Sequence, residues 1–376
     1  MRVAVCCGVV LALALPACGG LQLAPPASPT EPGDIEHTVF LIGDAGHLRP
    51  DEPVFDALAP LAPADSTRGT LVFLGDNIYP AGLPPEGHPD RKEAEDVLEQ
   101  QLELARRTRL RTIFIPGNHD WARHRPEGWD AVRRQAAYIT AHGSNAVMRP
   151  ADGCPGPEIE DAGTVLRLIA LDTQWWLHAG PRPGEGSACG ARNGSEVVAQ
   201  LGAAITSSNG RHVVVLGHHP LATGGEHGGH FRTRDHLFPL RSVASWLWLP
   251  LPGIGSLYPA ARANGYSPQD LSSPINRVMR EALARGMEQQ RPLVYASGHE
   301  HNLQVIRGNT ARWLLVSGSG VSDHQSWVTW SDSTAFAVEA AGFMRLDVMQ
   351  GGRVRLGVIA VASNGAAREV FSRWLD

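Results

Sequence analysis

Carboxylates, imidazoles, an amide and a phenol recur in this chain in an order that could assemble a two-metal centre. They are Asp44 in Gly43-Asp44-Ala45-Gly46, Asp76 and Tyr79 in Gly75-Asp76-Asn77-Ile78-Tyr79, and Asn118 and His119 in Gly117-Asn118-His119-Asp120. His218 follows, and then His299 and His301 in Gly298-His299-Glu300-His301. Nitrogen and oxygen donors of this kind suit transition-metal ions. Two such ions about 3.5 to 4 Å apart clamp a phosphoryl group for in-line attack.

Something must carry these residues to one point. Each motif follows an apolar, β-branched run: residues 39–42, 71–74, 113–115, 213–216 and 293–296. Such runs read as buried strands ending in loops, and ligands at the ends of neighbouring strands converge although they lie far apart in sequence. Glycines in the motifs let the backbone turn close to a metal. Between the strands, residues 53–62, 91–107 and 130–142 read as helices, and the alternation through residue 230 predicts a layered α/β architecture. Residues 313–316, 342–348 and 354–361 read as later strands, the last two a hairpin around Gly351-Gly352.

The motifs resemble the signature of the calcineurin-like metallophosphoesterases: Asp-x-His, Gly-Asp-x-x-Asp/Asn, Gly-Asn-His-Asp/Glu, a single His, and Gly-His-x-His. The chain departs from it twice. Gly46 stands where the first motif has His, and Tyr79 adds an oxygen ligand to the second. Both departures match the purple acid phosphatases, and the run from Gly75 through Tyr79 to Leu83 looks most like the small, tartrate-resistant type. The likeness extends to the stretch from His218 to His227, His299 to Gln304, Leu171-Asp172-Thr173 and Ser317 to Gly320, and covers roughly residues 37–376.

The resemblance implies a four-layer α/β sandwich of two mixed β-sheets flanked by helices, with metals at the strand ends. Asp76 would bridge two ions, with Asp44, Tyr79 and His301 completing one site and Asn118, His218 and His299 the other. The first site would hold Fe(III), because a phenol titrates near 10 when free and a strongly Lewis-acidic ion is needed to displace its proton at acid pH. The second would hold a divalent Fe, Zn or Mn ion. The implied activity is hydrolysis of small-molecule phosphate monoesters by metal-bound hydroxide, without a phosphoenzyme. His119 and His227 match family histidines over the substrate phosphate, and either could orient the phosphoryl oxygens or protonate the leaving alkoxide. His119 is the favoured acid, with Asp120 orienting it. Phosphodiester or nucleotide hydrolysis would use the same clamp, and a non-catalytic surface binding protein is a third reading, against which the intact ligand set argues.

Composition bounds the rest. A net charge of -5 and a pI near 6.3 give no electrostatic ground for a nucleic-acid partner. Residues 1–18 read as a targeting segment: Arg2, an apolar run at 3–15 too short to span a bilayer comfortably, then Leu15-Pro16-Ala17-Cys18-Gly19. That last stretch resembles a bacterial lipobox, with Pro16 an unusual choice. Lipidation at Cys18 would make this an exported, membrane-anchored lipoprotein facing the periplasm or cell surface; simple secretion is the alternative. Residues 19–36 read as a flexible tether and 37–376 as the metallophosphoesterase domain, with an insertion at about 236–290. Cys154 and Cys189 remain in the mature domain and could form one disulfide. The apolar stretch at 245–258 within the insertion is broken by Pro and Gly; it would serve as a lid or membrane-surface contact, or pack on its own domain.

Overall fold

The computed structural model describes residues 34–47, 49–242 and 246–376. The leader, the Cys18 lipobox and most of the tether therefore lie outside the described residues. Numbered along the chain, the strands are β1 (Ile35–Ile42), β2 (Gly69–Phe73), β3 (Arg111–Phe114), β4 (Ala146–Met148), β5 (Glu158–Ala162), β6 (Leu166–Ala170) and β7 (His212–Leu216). There follow β8 (Val294–Ser297), β9 (Leu303–Arg307), β10 (Trp313–Ser317), β11 (Thr334–Val338), β12 (Gly342–Met349), β13 (Val354–Val361) and β14 (Ala367–Trp374).

They form two mixed seven-stranded sheets, ordered β14-β13-β12-β1-β2-β3-β4 and β11-β9-β10-β8-β7-β6-β5. Side chains alternate across each strand, so β1 sends Val39 and Leu41 into the space between the sheets, where Leu216, Val294 and Leu315 also lie. Phe40 and Ile42 point the other way, into a cluster with Leu98, Leu102, Val132 and Ile139 of the helices Arg91–Thr108 and Gly128–His142. Beyond the second sheet, Val213 and Val215 share a cluster with Leu201, Met279 and Leu283 of the helices Gly194–Thr206 and Pro274–Gly286. Strands covered on both faces read as continuous apolar runs. The four-layer expectation holds.

The expected helices appear with small shifts at their ends, and β12 and β13 pair around a turn in which the Gly352 N–H donates to the Met349 carbonyl. Edge strands were not anticipated. β5 and β14 carry exposed charged residues such as Asp161 and Glu369, and a polar edge gives up the apolar pattern that would announce it. Cys154 and Cys189 are joined by a disulfide, closing a loop that contains β5 and β6.

His37 gives the fold a pH dependence remote from the ligand motifs. Its side chain is buried on β1, with Nε2 2.9 Å from Thr70 Oγ1, and burial lowers its pKa to about 4. The unfolded chain takes up a proton near the ordinary value of about 6.5 that the folded chain refuses until about 4, so stability is lost as pH falls through that window. Urea unfolding should show the wild type losing roughly 2 to 3 kcal/mol more than His37→Gln between pH 7 and 4.5. Parallel losses would contradict this assignment.

Candidate metal centre

Every ligand motif begins just past the carboxyl end of a strand: Asp44 after β1, Asp76 after β2, Asn118 after β3, His218 after β7 and His299 after β8. Cross-links hold the loops together, the Asp44 N–H donating to the Gly75 carbonyl at 3.0 Å and the Gly298 N–H to the His218 carbonyl at 3.0 Å. Asp44, Asp76 and His299 all sit at positive φ, at 56°, 53° and 73°. Non-glycine residues rarely adopt that conformation, and it clusters where a site over-determines the backbone. The glycines are needed for space: a Cβ on Gly117 would lie 2.3 Å from Asp76 Oδ1.

The two departures from the superfamily signature are physically coupled. The Tyr79 N–H donates to the Gly46 carbonyl, and a Cβ on Gly46 would lie 2.5 Å from the Ile78 nitrogen. The loop that delivers Tyr79 occupies the space that any larger residue at position 46 would need. Seen one motif at a time, the sequence hides this dependence.

The seven expected ligands meet. Tyr79 Oη lies 3.1 Å from Asp44 Oδ1, 3.2 Å from Asp76 Oδ2 and 3.2 Å from His301 Nε2. On the other side, His218 Nε2 lies 3.1 Å from Asn118 Oδ1, 3.2 Å from His299 Nδ1 and 3.4 Å from Asp76 Oδ2. Donors about 2.1 Å from one ion stand about 3.0 to 3.4 Å from each other in octahedral or tetrahedral arrangements, so both sets have the dimensions of a coordination shell. One atom, Asp76 Oδ2, belongs to both.

Proton counting supports a cation. The Leu74 carbonyl, 2.8 Å from His218 Nδ1, can only accept, so Nδ1 carries the hydrogen. In the neutral ring Nε2 then points a lone pair at the oxygens of Asn118 and Asp76. Burial lowers the His218 pKa, but Asp76 outweighs it and pushes the value up to about 9, the response of a site that wants positive charge. Burial and the facing Asp44 and Asp76 carboxylates drive the Tyr79 phenol well above its ordinary range. Burial would raise Asp76 too, yet His218 and His119 hold it well below the usual carboxylate range. Metal ions binding at both donor sets would answer the lone pairs and carboxylates together.

His119 and His227 flank the centre. The His119 ring lies 4.1 Å from the Tyr79 ring, with Nδ1 2.7 Å from the Pro80 carbonyl and Nε2 3.9 Å from Asp76 Oδ2. Its orienting partner is thus Pro80, which corrects the role expected of Asp120. The buried Asp120 carboxylate turns away from that ring and accepts from the N–H groups of Gly117 and Asn77 and from Asn77 Nδ2, tying the second and third motifs together. Burial and nearby Asp76 raise its pKa to about 7. The His227 ring packs 3.9 Å from the His299 ring, and its backbone N–H donates to Glu300 Oε1 at 2.9 Å. Glu300, the unassigned residue of Gly-His-x-His, is buried and also accepts from Thr223 Oγ1, anchoring the glycine-rich loop to the metal motif.

Three other histidines approach the centre. His219 is buried with Nδ1 on Thr173 Oγ1 and Nε2 on Gln269 Oε1, so both nitrogens are engaged by protein despite its place beside His218 and His299. His324, which no local motif announces, lies tilted 4.1 Å from the His301 ring, with His47 stacked beyond it at 5.7 Å. Burial lowers the His324 pKa to about 4. The segment 236–290, expected as an insertion, meets the centre through Asp270 and Arg262, which reach His227, while Trp246, Trp248 and Ile254 stay exposed. No helix among the described residues is long and apolar enough to cross a membrane.

No protein-family model and no curated protein matches the chain. Among solved structures, it resembles GAP50, the anchor in the inner membrane complex of Plasmodium, with a TM-score of 0.54 at 15% identity over 91% of this chain and 89% of that one. It also resembles the purple acid phosphatase PPD1 from yellow lupin seeds, with a TM-score of 0.50 at 14% identity over 92% of this chain and 55% of that one. At these identities the likeness supports a metallophosphoesterase-like fold.

Proposed function

We propose that this chain is a binuclear metal phosphomonoesterase of the purple acid phosphatase type. The observation that carries the reading is Asp76 Oδ2, shared between a set containing a phenol and a set containing an amide and two imidazoles. Asp44, Asp76, Tyr79 and His301 would hold Fe(III), and Asp76, Asn118, His218 and His299 a divalent Fe, Zn or Mn ion. When bound, such a pair supplies the charge that draws in a phosphoryl group and lowers the pKa of an attacking water. The chain's own residues do the rest. His119 Nδ1 donates to Pro80, which aims Nε2 toward the shared carboxylate; with the ring doubly protonated, a form that burial disfavours and the Asp76 carboxylate favours, Nε2 can donate to a phosphoryl oxygen or the leaving oxygen. His227, stacked on His299, offers a second donor. The leader supports export and lipid attachment at Cys18.

The test is kcat/KM on a chromogenic phosphomonoester and the matching diester, from pH 4 to 9, with iron and zinc supplied. Monoester turnover peaking on the acid side is expected. A diester preference or an alkaline peak would move the function to phosphodiester or nucleotide hydrolysis. Turnover absent with both ions bound would favour a non-catalytic surface binding protein; the Plasmodium neighbour is itself named as an anchor, in the inner membrane complex.

A further inference from the structure

The insertion supplies a charged clamp to His227. Asp270, in the loop before the helix Pro274–Gly286, is fully buried, with Oδ1 3.1 Å from His227 Nδ1. Arg262, from the helix Leu257–Ala263, grips the same carboxylate twice: Nε donates to Oδ2 at 2.7 Å and Nη2 to Oδ1 at 2.7 Å. Arg262 Nη2 also lies 3.2 Å from His227 Nδ1, and Nη1 donates to Tyr258 Oη at 2.8 Å. The Leu271 N–H closes the contact by donating to the His227 carbonyl at 2.8 Å.

We infer that Asp270 and Arg262 are positioning residues for His227, delivered by the insertion so that Nε2 is presented to a phosphoryl group at the metal centre. His227 Nδ1 has an acceptor, Asp270 Oδ1, and a donor, Arg262 Nη2, within reach together. A ring with hydrogen on Nδ1 donates to Asp270; a ring with hydrogen only on Nε2 accepts from Arg262. Either way the ring keeps one orientation, and Nδ1 is engaged on the insertion side, which leaves Nε2 for the substrate. A carboxylate buried beside a bidentate guanidinium is held rigidly, as a positioning group must be. The half-buried glycine-rich loop holds His227 by its backbone N–H, on Glu300, and not by its ring.

The inference rests on the phosphoesterase reading, and the test separates the two. Asp270→Ala is made in the wild type and in His227→Ala, and kcat, KM, metal content and the affinity for inorganic phosphate are measured on metal-loaded protein. In the wild-type background, kcat should fall about 10- to 100-fold and phosphate binding should weaken about tenfold, with metal content unchanged. In the His227→Ala background, Asp270→Ala should cost less than about threefold, because the group it positions is gone. Asp270→Asn keeps the acceptor for Nδ1 and loses the charge that binds Arg262, so an intermediate loss is expected; that variant carries the cycle where the alanine variant does not fold. Equal losses in both backgrounds, or no loss in the wild type, would overturn the inference. If the wild type turns over no phosphoester, the function proposed above fails and the phosphate-binding cycle alone decides the role of Asp270.

Discussion

Asp76→Ala is expected to cost the centre both of its ions and to lower kcat/KM for a phosphomonoester by at least about a thousandfold. Losing a group that merely supports a metal ligand typically costs about 10- to 100-fold, and Asp76 offers the one carboxylate oxygen common to both donor sets. Its Oδ2 stands 3.2 Å from Tyr79 Oη and 3.4 Å from His218 Nε2, while Oδ1 accepts the His119 N–H at 2.8 Å. One substitution therefore removes the bridge and loosens the loop that carries Asn118 and His119. Asp76→Asn preserves volume and separates the two effects: the loop stays, and the bridging charge goes. Retention of two ions and near wild-type turnover by Asp76→Ala would mean that the donor sets act independently.

The second large effect concerns Tyr79. With Fe(III) in its site, Tyr79→Phe should abolish the visible absorption of the protein while the second ion stays bound. Burial and two facing carboxylates hold the free phenol protonated far above the pH range of an acid phosphatase, so only a strongly Lewis-acidic ion displaces that proton. The phenolate so formed is the source of visible charge transfer. A spectrum unchanged by Tyr79→Phe would remove Tyr79 from the ligand set, and Asp44, Asp76 and His301 would be left to hold that ion.

The convergence of these donor residues was legible because each lies in a short motif behind a strand whose two buried faces make its apolar run unmistakable, as with residues 39–42 and 213–216. What stayed hidden depends on long-range contact. Gly46 and Tyr79 read as two separate departures, although a Cβ at one would strike the loop that carries the other. Asp120, adjacent to His119 in sequence, seemed its natural partner; the backbone turns the carboxylate back onto Gly117 and Asn77 instead. Glu300 has no role that its own motif announces; its contacts are to Thr223 and the His227 N–H, more than 70 residues away. Asp270 lies 43 residues beyond His227 in a segment with no periodic pattern, and nothing local announces it. The apolar insertion was legible as unusual, but its contact with the site is made by its polar residues Arg262 and Asp270 rather than by its exposed tryptophans. The edge strands β5 and β14 escaped notice because polar edges suppress the pattern that identifies buried strands.

If one carboxylate joins two metal sites, both ions depend on Asp76. What decides this is the metal content per chain of the purified protein, supplied with iron and zinc, freed of loose ions by desalting and measured by plasma mass spectrometry beside Asp76→Ala. Two ions per wild-type chain, both lost together in the variant, is the predicted result. A single ion per chain, or two that survive the loss of Asp76, would contradict it.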